Sequence, residues 1–277
     1  MKYLKDSFSY VFKNFIFIFI FSLLPSYFLA FVQKGDRTSA FIASLFEDGA
    51  GAGFGDVFSF LSPFNAYGWI YSLVALILMI ILLPMLTGFI ERHMRLGVRS
   101  LKGILSRFNY NFVACFRLLL IFFVLYELWA VVAAGFIYLF VVLFNGVLCG
   151  VLASVCFALT LVLFCWILSA IILWLPVLQI TGYRFMDSFV YEYQLYAGRR
   201  IRIFLAVLVP WVLGYVFAIL SAFFVWPVSA LLDFIIRELL FMVLILYYAV
   251  LMYVVYFAAS GEERADLAKR YLGGSAR

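Results

Sequence analysis

Residues 98–135 read VRSLKGILSRFNYNFVACFRLLLIFFVLYELWAVVAAG. From Val98 to Asn111 the stretch is a basic amphipathic ramp, with Val98, Leu101, Ile104, Leu105, Phe108 and Phe112 recurring at helical spacing on one face. It then climbs without a break into an apolar run long enough to cross a hydrocarbon core of roughly 30 Å. One carboxylate, Glu127, interrupts that run. Working outward, the composition has the same character. Hydrophobic residues make up 68% of the chain and charged residues 12%, where a soluble domain is nearer one half and one quarter. Mean hydropathy is +1.15. A chain of 277 residues cannot bury so much apolar side chain in a single core. The expected class is an all-α, polytopic integral membrane protein.

The ramp-then-span unit recurs. Near the N-terminus Leu4, Phe8, Val11, Phe12 and Phe15 share one helical face and Lys2, Lys5, Asp6, Ser9 and Lys13 the other. From Arg184 to Ala197 the apolar face is Phe185, Met186, Phe189, Val190, Tyr193 and Ala197. Asp6-Ser7-Phe8-Ser9-Tyr10 reappears as Asp187-Ser188-Phe189-Val190-Tyr191, and Leu4-Lys5 with Asn14-Phe15 reappears at the same spacing as Leu101-Lys102 with Asn111-Phe112. These matches predict three helix-hairpin repeats in parallel, each preceded by an interfacial amphipathic helix. Six spans are expected in one membrane domain over 1–258, at about 14–32, 66–90, 117–144, 147–175, 203–225 and 239–258. Residues 33–65, with the flexible Gly49-Ala50-Gly51-Ala52-Gly53 run, form an extracytoplasmic loop and candidate lid, and 259–277 a cytoplasmic tail. A basic start before an apolar run also resembles a signal peptide. The bulky Phe and Leu of the run and the poor cleavage site Thr38-Ser39-Ala40 favour a retained anchor.

Orientation follows from charge. With the N-terminus inside, all but three of the 20 Lys and Arg lie on the inner side, the exceptions being Lys34, Arg37 and Arg237. The positive-inside rule places both termini in the cytoplasm. The Phe-rich, His-poor composition fits a bacterial inner membrane.

An intramembrane carboxylate is a functional candidate by default, so Glu127 is a candidate proton or cation site. Its expected state is neutral, hydrogen-bonded to Ser154, Thr160 or a tyrosine of the last span, with Ala130 and Ala134 packing on the same face. Lys5, Lys13, Arg92, Arg95, Arg99, Lys102, Arg107, Arg117, Arg199, Arg200 and Arg202 are candidate contacts for anionic lipid headgroups or a cytoplasmic partner. His93, the one histidine, stands beside Arg92 and Arg95 and reads as solvated or facing headgroups. Gly53-Phe54-Gly55-Asp56 matches the GxGD pattern of intramembrane aspartyl proteases but has no second transmembrane aspartate to share a proton with. Cys115, Cys149, Cys156 and Cys165 all sit in apolar segments and read as packing residues. No nucleophile–base pair, metal-ligand spacing or P-loop is present, so neither an enzyme, a cofactor, a metal nor a nucleic-acid partner is expected.

Leu4-Lys5-Asp6-Ser7-Phe8, Lys13-Asn14-Phe15 and Ser22-Leu23-Leu24-Pro25 resemble the ramp-span-proline pattern of uncharacterised bacterial six-span membrane domains, such as the one fused to some glycerophosphodiester phosphodiesterases. No phosphodiesterase domain lies in this sequence and no catalytic residue carries over. The order of elements also resembles that of six-span exporter permeases. Two functions are therefore expected: a permease-like or transport-associated subunit, with a cytoplasmic ATPase or other protein docking on the basic helices, or a lipid-associated or scaffolding protein without a transport cycle.

Overall fold

A computed structural model describes residues 2–47, 52–65 and 68–267, save the side chain of Arg107. The run Asp48 to Gly51, the predicted first residue of the second span (Ala66) and the tail from residue 268 lie outside the described residues. The elements are α1 (Lys2–Ile18), α2 (Ile20–Val32), α3 (Gly35–Ser44), α4 (Phe54–Leu61), α5 (Trp69–Leu96), α6 (Ile104–Leu143), α7 (Gly146–Ile171), α8 (Trp174–Thr181), α9 (Phe185–Ala197), α10 (Arg200–Leu220) with a π-helical turn at Ser221–Val225, and α11 (Ala230–Ser260). No strand occurs among the described residues. Five segments are long and apolar enough to cross a membrane: Trp69–Leu96, Phe108–Leu143, Gly146–Thr181, Arg200–Val225 and Ala230–Ser260. The pair α1–α2 qualifies only when taken together, and it is bent by 97°. The chain is a multi-pass, all-helical integral membrane protein.

The central helix is α11. Of its most apolar window 61% is buried inside the protein, against 28% for α6, α7 and α10. It packs against α1, α2, α5 and α10. Its tyrosines Tyr247, Tyr253 and Tyr256 belong to that packing. Pro210 has no N–H to give the carbonyl of Ala206 one turn before it. The Tyr247 hydroxyl supplies the missing donor at 2.8 Å, and Tyr248 donates to Val207 O at 2.7 Å. A carbonyl that the proline would leave unpaired is thus satisfied by a neighbouring helix.

The three ramps take three forms. The first is α1, folded over onto α2 at Phe19, so it runs to Ile18 and not merely to the last lysine. At 13 residues, roughly 20 Å of helix, α2 cannot cross a hydrocarbon core alone. The second ramp is not a separate interfacial helix. Residues 97–103 are non-helical, with Gly97 and Gly103 in the left-handed region, and α6 then runs unbroken for 40 residues, roughly 60 Å. The third, α9, is set off from α10 by Gly198 and Arg199.

Two of these helices have three faces where a two-faced amphipath was expected. On α1 the face pressed into the protein is Tyr3, Ser7, Tyr10, Asn14 and Ile18, whereas Lys2, Lys5 and Lys13 are exposed and Phe12 and Ile16 present 67% and 80% of their surface outward. On α9 Ser188, Glu192, Leu195 and Tyr196 are buried while Met186, Phe189, Val190 and Tyr193 are exposed. Small and polar side chains on the buried stripe let the helix approach its neighbours closely, and the bulky apolar ones are left for lipid.

Candidate functional site

The segment expected as a free loop is folded down as α3 and α4 over one end of the bundle. Val57 and Leu61 of α4 are fully buried and α4 packs along α6. Asp56 is the third residue of α4, and its Oδ2 accepts from N of the N-cap, Gly53, at 2.9 Å, so the GxGD match is a helix start. Between α3, α4 and the ends of α2, α10 and α11 lies a polar chamber of about 570 Å³. Lys34, Arg37 and Arg237 line it. These are the three basic residues that the charge count set apart from all the others. Glu47 and Asp56 line it too, with Thr38, Ser59 and Asn65 among the uncharged polar groups.

Arg237 is built into the wall of this chamber. It is 1% exposed. Its Nε donates to both oxygens of Asp233 at 3.0 and 2.9 Å, and Nη2 donates to Ala218 O at 3.0 Å, beside the π-helical turn. Asp233 also accepts from Ser221 Oγ at 2.6 Å. A buried ion pair held by this many hydrogen bonds has its desolvation cost offset. The remaining nitrogen, Nη1, has no partner among the described residues and is not sealed in the protein. Gly35, at the start of α3, permits this close seat: a Cβ there would stand 2.6 Å from Asp233 Oδ2 and 2.9 Å from Trp226 Cβ.

Beneath lies a second, apolar chamber of about 290 Å³, walled by α5, α6, α7, α10 and α11. Leu76, Met79, Phe122, Trp211 and Leu244 are among its lining. Gln33, the C-cap of α2, lines both chambers. The connection from α4 to α5 divides them, with Ser59 and Asn65 on the polar side and Pro63 and Phe64 on the apolar side.

Glu127 lines the apolar chamber at this partition. Its carboxyl accepts from Ser62 Oγ at 2.8 and 3.0 Å. Ser62 Oγ in turn accepts from Phe64 N at 3.0 Å, and Tyr126 donates to Leu61 O at 2.7 Å. The hydroxyl that Glu127 finds is therefore not one of those expected. Ser154 and Thr160 bond their own helix at Gly150 O and Phe157 O, and the last-span tyrosines are engaged elsewhere. The loop comes down to the carboxylate, which no reading of span pattern anticipates. Ala130 and Ala134 are fully buried on the same side of α6.

The opposite end of the bundle holds the remaining sequence-selected residues. Lys5 and Lys13 are exposed on α1, as are Lys102, Arg117 and Arg202. Arg92 donates to Lys102 O at 2.6 Å, and Arg95 pairs with Glu91 at 3.6 Å. Arg117 lies 5.7 Å from the Phe185 ring, while Arg200 stacks on Tyr193 and Tyr196 at 5.2 and 5.7 Å. Arg199 is half-buried beside it. The side chain of Arg107 lies outside the described residues. His93 is buried, a correction to its solvated reading. Arg99 Nε donates to Nε2 at 3.0 Å, which requires the ring proton on Nδ1, and Nδ1 meets Tyr10 Oη at 2.8 Å. The folding-over of α1 brings Tyr10 there.

Glu192 was not visible in the sequence as a site. It is buried on α9 and accepts from Leu173 N at 2.8 Å, at the start of α8. Burial pushes its carboxyl up to about 8, only partly opposed by the backbone N–H groups of Leu173 and Trp174. The one available signal was a glutamate one turn after Ser188, just past the repeated motif. Arg237 and Asp233 carried a stronger one, an i, i+4 opposite-charge pair at the start of an apolar span.

No family model, curated protein or solved structure matches this chain.

Proposed function

We propose that this protein binds and handles a membrane amphiphile, a lipid or lipid-like molecule, in a bacterial inner membrane. The observation that carries the reading is the pair of chambers meeting at Gln33, one polar and one apolar. A molecule with a charged head and a hydrocarbon tail matches that juxtaposition, whereas a small polar solute has no use for the apolar half. In this reading the six segments cross the membrane as three related hairpins, both termini are cytoplasmic, and the α3–α4 end faces outward. Asn14 and Asn111, equivalent in the repeat, are both buried, and so are Ser7 and Ser188, which supports the relation. The basic residues of α1, of the α5–α6 connection and of the α9–α10 junction then meet anionic headgroups of the inner leaflet. Glu127 positions the partition between the chambers and is not a proton carrier.

A transport-associated subunit is the second reading. The exposed cations Lys5, Lys13, Lys102, Arg117 and Arg202 favour it as a docking surface for a second subunit. Purification of the full chain in mild detergent, with lipids and proteins identified by mass spectrometry, tests both. A stoichiometric, selectively retained lipid is expected. A stoichiometric ATPase would move the protein to the second reading, and the absence of any retained amphiphile would contradict the first.

A further inference from the structure

The amphiphile reading leaves open how many chains the ligand carries and what joins them to its head, and the apolar chamber narrows both. Its volume is about 290 Å³. A methylene takes roughly the space of a water, about 30 Å³, so the chamber holds on the order of ten of them. Along α6 the lining runs from Glu127 to Leu118, roughly 13 Å of helix. An extended chain advances about 1.2 Å per bond, so about ten methylenes in single file reach roughly 12 Å. Volume and depth therefore agree on one chain. Two chains side by side would fill the space at half that depth.

The hydroxyls on this wall are already committed. Ser72 donates to Pro63 O, Tyr126 to Leu61 O and Tyr248 to Val207 O. Two groups at the partition are not. The side-chain amide of Gln33 is half-buried and has no partner among the described residues. Glu127 accepts from a single hydroxyl, Ser62 Oγ, shared between its two oxygens. A carboxyl has about four lone-pair sites, so in either protonation state it can accept again. No Lys, Arg or His is among the described residues that line this chamber, so the further donor is not a basic side chain. Pure hydrocarbon would leave both groups unpartnered in a site that excludes water, which weakens binding. An ester carbonyl accepts from the Gln33 amide but offers Glu127 nothing. A hydroxyl offers Glu127 the donor it lacks. We infer that the apolar chamber takes a single-chain amphiphile with a free hydroxyl beside the chain, a monoacyl glycerolipid, its ester carbonyl accepting from Gln33 and its hydroxyl donating to Glu127. In a diacyl lipid that hydroxyl is esterified, so the same change removes the donor and adds a chain with no room. The inference rests on the amphiphile reading in placing the head in the polar chamber. Lysophospholipids and monoacylglycerols share this junction.

The test is titration of the full-length protein in a non-ionic detergent, with binding read by native mass spectrometry and folding by thermal unfolding. The probes are decanoyl lysophosphatidylethanolamine, its analogue with the free hydroxyl methylated, didecanoyl phosphatidylethanolamine, monodecanoylglycerol and chainless glycerophosphoethanolamine. The lysolipid is expected to bind about tenfold more tightly than the methylated and the didecanoyl lipids, the worth of one hydrogen bond. Monodecanoylglycerol binding as tightly as the lysolipid supports the inference with a neutral lipid as the source. Glu127→Gln keeps an acceptor oxygen and should keep the preference for the hydroxyl, whereas Glu127→Leu should abolish it. The methylated ligand on the unaltered protein decides the same point should Glu127→Leu fail to fold. Gln33→Leu removes a side chain that bonds nothing in the protein, and should leave unfolding unchanged while weakening both the lysolipid and its methylated analogue about tenfold. Equal affinity for the lysolipid and the methylated lipid overturns the hydroxyl assignment, and a didecanoyl lipid that binds as tightly overturns the single chain; both leave the amphiphile reading standing. Binding of glycerophosphoethanolamine with none of the chain-bearing ligands overturns the amphiphile reading and this inference with it.

Discussion

Glu127 shows how a residue can stand out in the sequence while its partner does not. Its depth in an apolar run made it the outstanding polar group of the sequence, and the structure gives it a partner from outside its own span pattern, Ser62. The physical reason is that the 33–65 segment packs inward, with Leu61 fully buried against the bundle. If Glu127 holds the partition, the bond must matter and the ionisation must not. Glu127→Gln keeps an oxygen that accepts from Ser62 and should retain stability and bound amphiphile. Glu127→Leu and Ser62→Ala each leave a buried group without its partner and should cost about 1–3 kcal/mol, read by thermal unfolding in detergent. Loss of function in Glu127→Gln with stability intact would restore the proton-site reading. His93 makes the same point from the other side. Its partner Tyr10 is 83 residues away, and only the bend after Ile18 puts them together.

At the scale of elements, helical periodicity found α1 and α9 but divided their residues into two classes where there are three. Ser7, Asn14, Ser188 and Glu192 looked like water-facing polar residues and are buried against protein. The hydrophobic pattern cannot distinguish a polar residue meant for water from one meant for a neighbouring helix. Glu192 turns this into a prediction. Its carboxyl in the folded protein lies at about 8, above the ordinary 4.5, so the fold favours the protonated form. That contribution is fully present below the ordinary value and is lost as pH rises through about 8, with a slope of at most about 1.4 kcal/mol per pH unit. Protection factors of α9 amides, corrected for the intrinsic pH dependence of exchange, should fall as pH rises from the ordinary 4.5 to about 8 and level off above it, and Glu192→Gln should flatten the response. A pH-independent wild type would show that Glu192 is not buried as described. The seat of α3 gives a second prediction at this scale. Gly35→Ala drives a methyl into Asp233 and Trp226, and should destabilise the protein by about 1–3 kcal/mol and release the bound amphiphile. Gly55→Ala, where nothing stands within 4 Å of the added carbon, should be neutral or stabilising by up to about 1 kcal/mol. Equal behaviour of the two variants would contradict the account of α3.

For the whole molecule, the membrane class was legible from composition alone, while the helices run past the expected span limits, α11 from Ala230 where 239 was expected and α5 to Leu96 where 90 was expected. The asymmetric distribution of charge was legible too, and it carried more information than topology. The three basic residues it left over, Lys34, Arg37 and Arg237, lie far apart in sequence yet line one chamber. What could not be read was the folding-over of segments, because neither the bend between α1 and α2 nor the inward packing of α4 leaves a periodic trace. The chambers exist only through those two features, so no inspection of the sequence would have placed Gln33 between them.

The central claim, that an amphiphile occupies both chambers, is tested most directly by photo-labelling. Full-length protein in lipid nanodiscs would be irradiated with a phosphatidylethanolamine carrying a diazirine midway along one acyl chain, and the labelled peptides mapped. The account predicts concentrated label on chamber residues such as Phe122, Trp211 and Leu244, reduced several-fold in Lys34→Gln. Label spread over outward-facing residues such as Leu128, Val155 and Leu163, and unchanged in that variant, would contradict it.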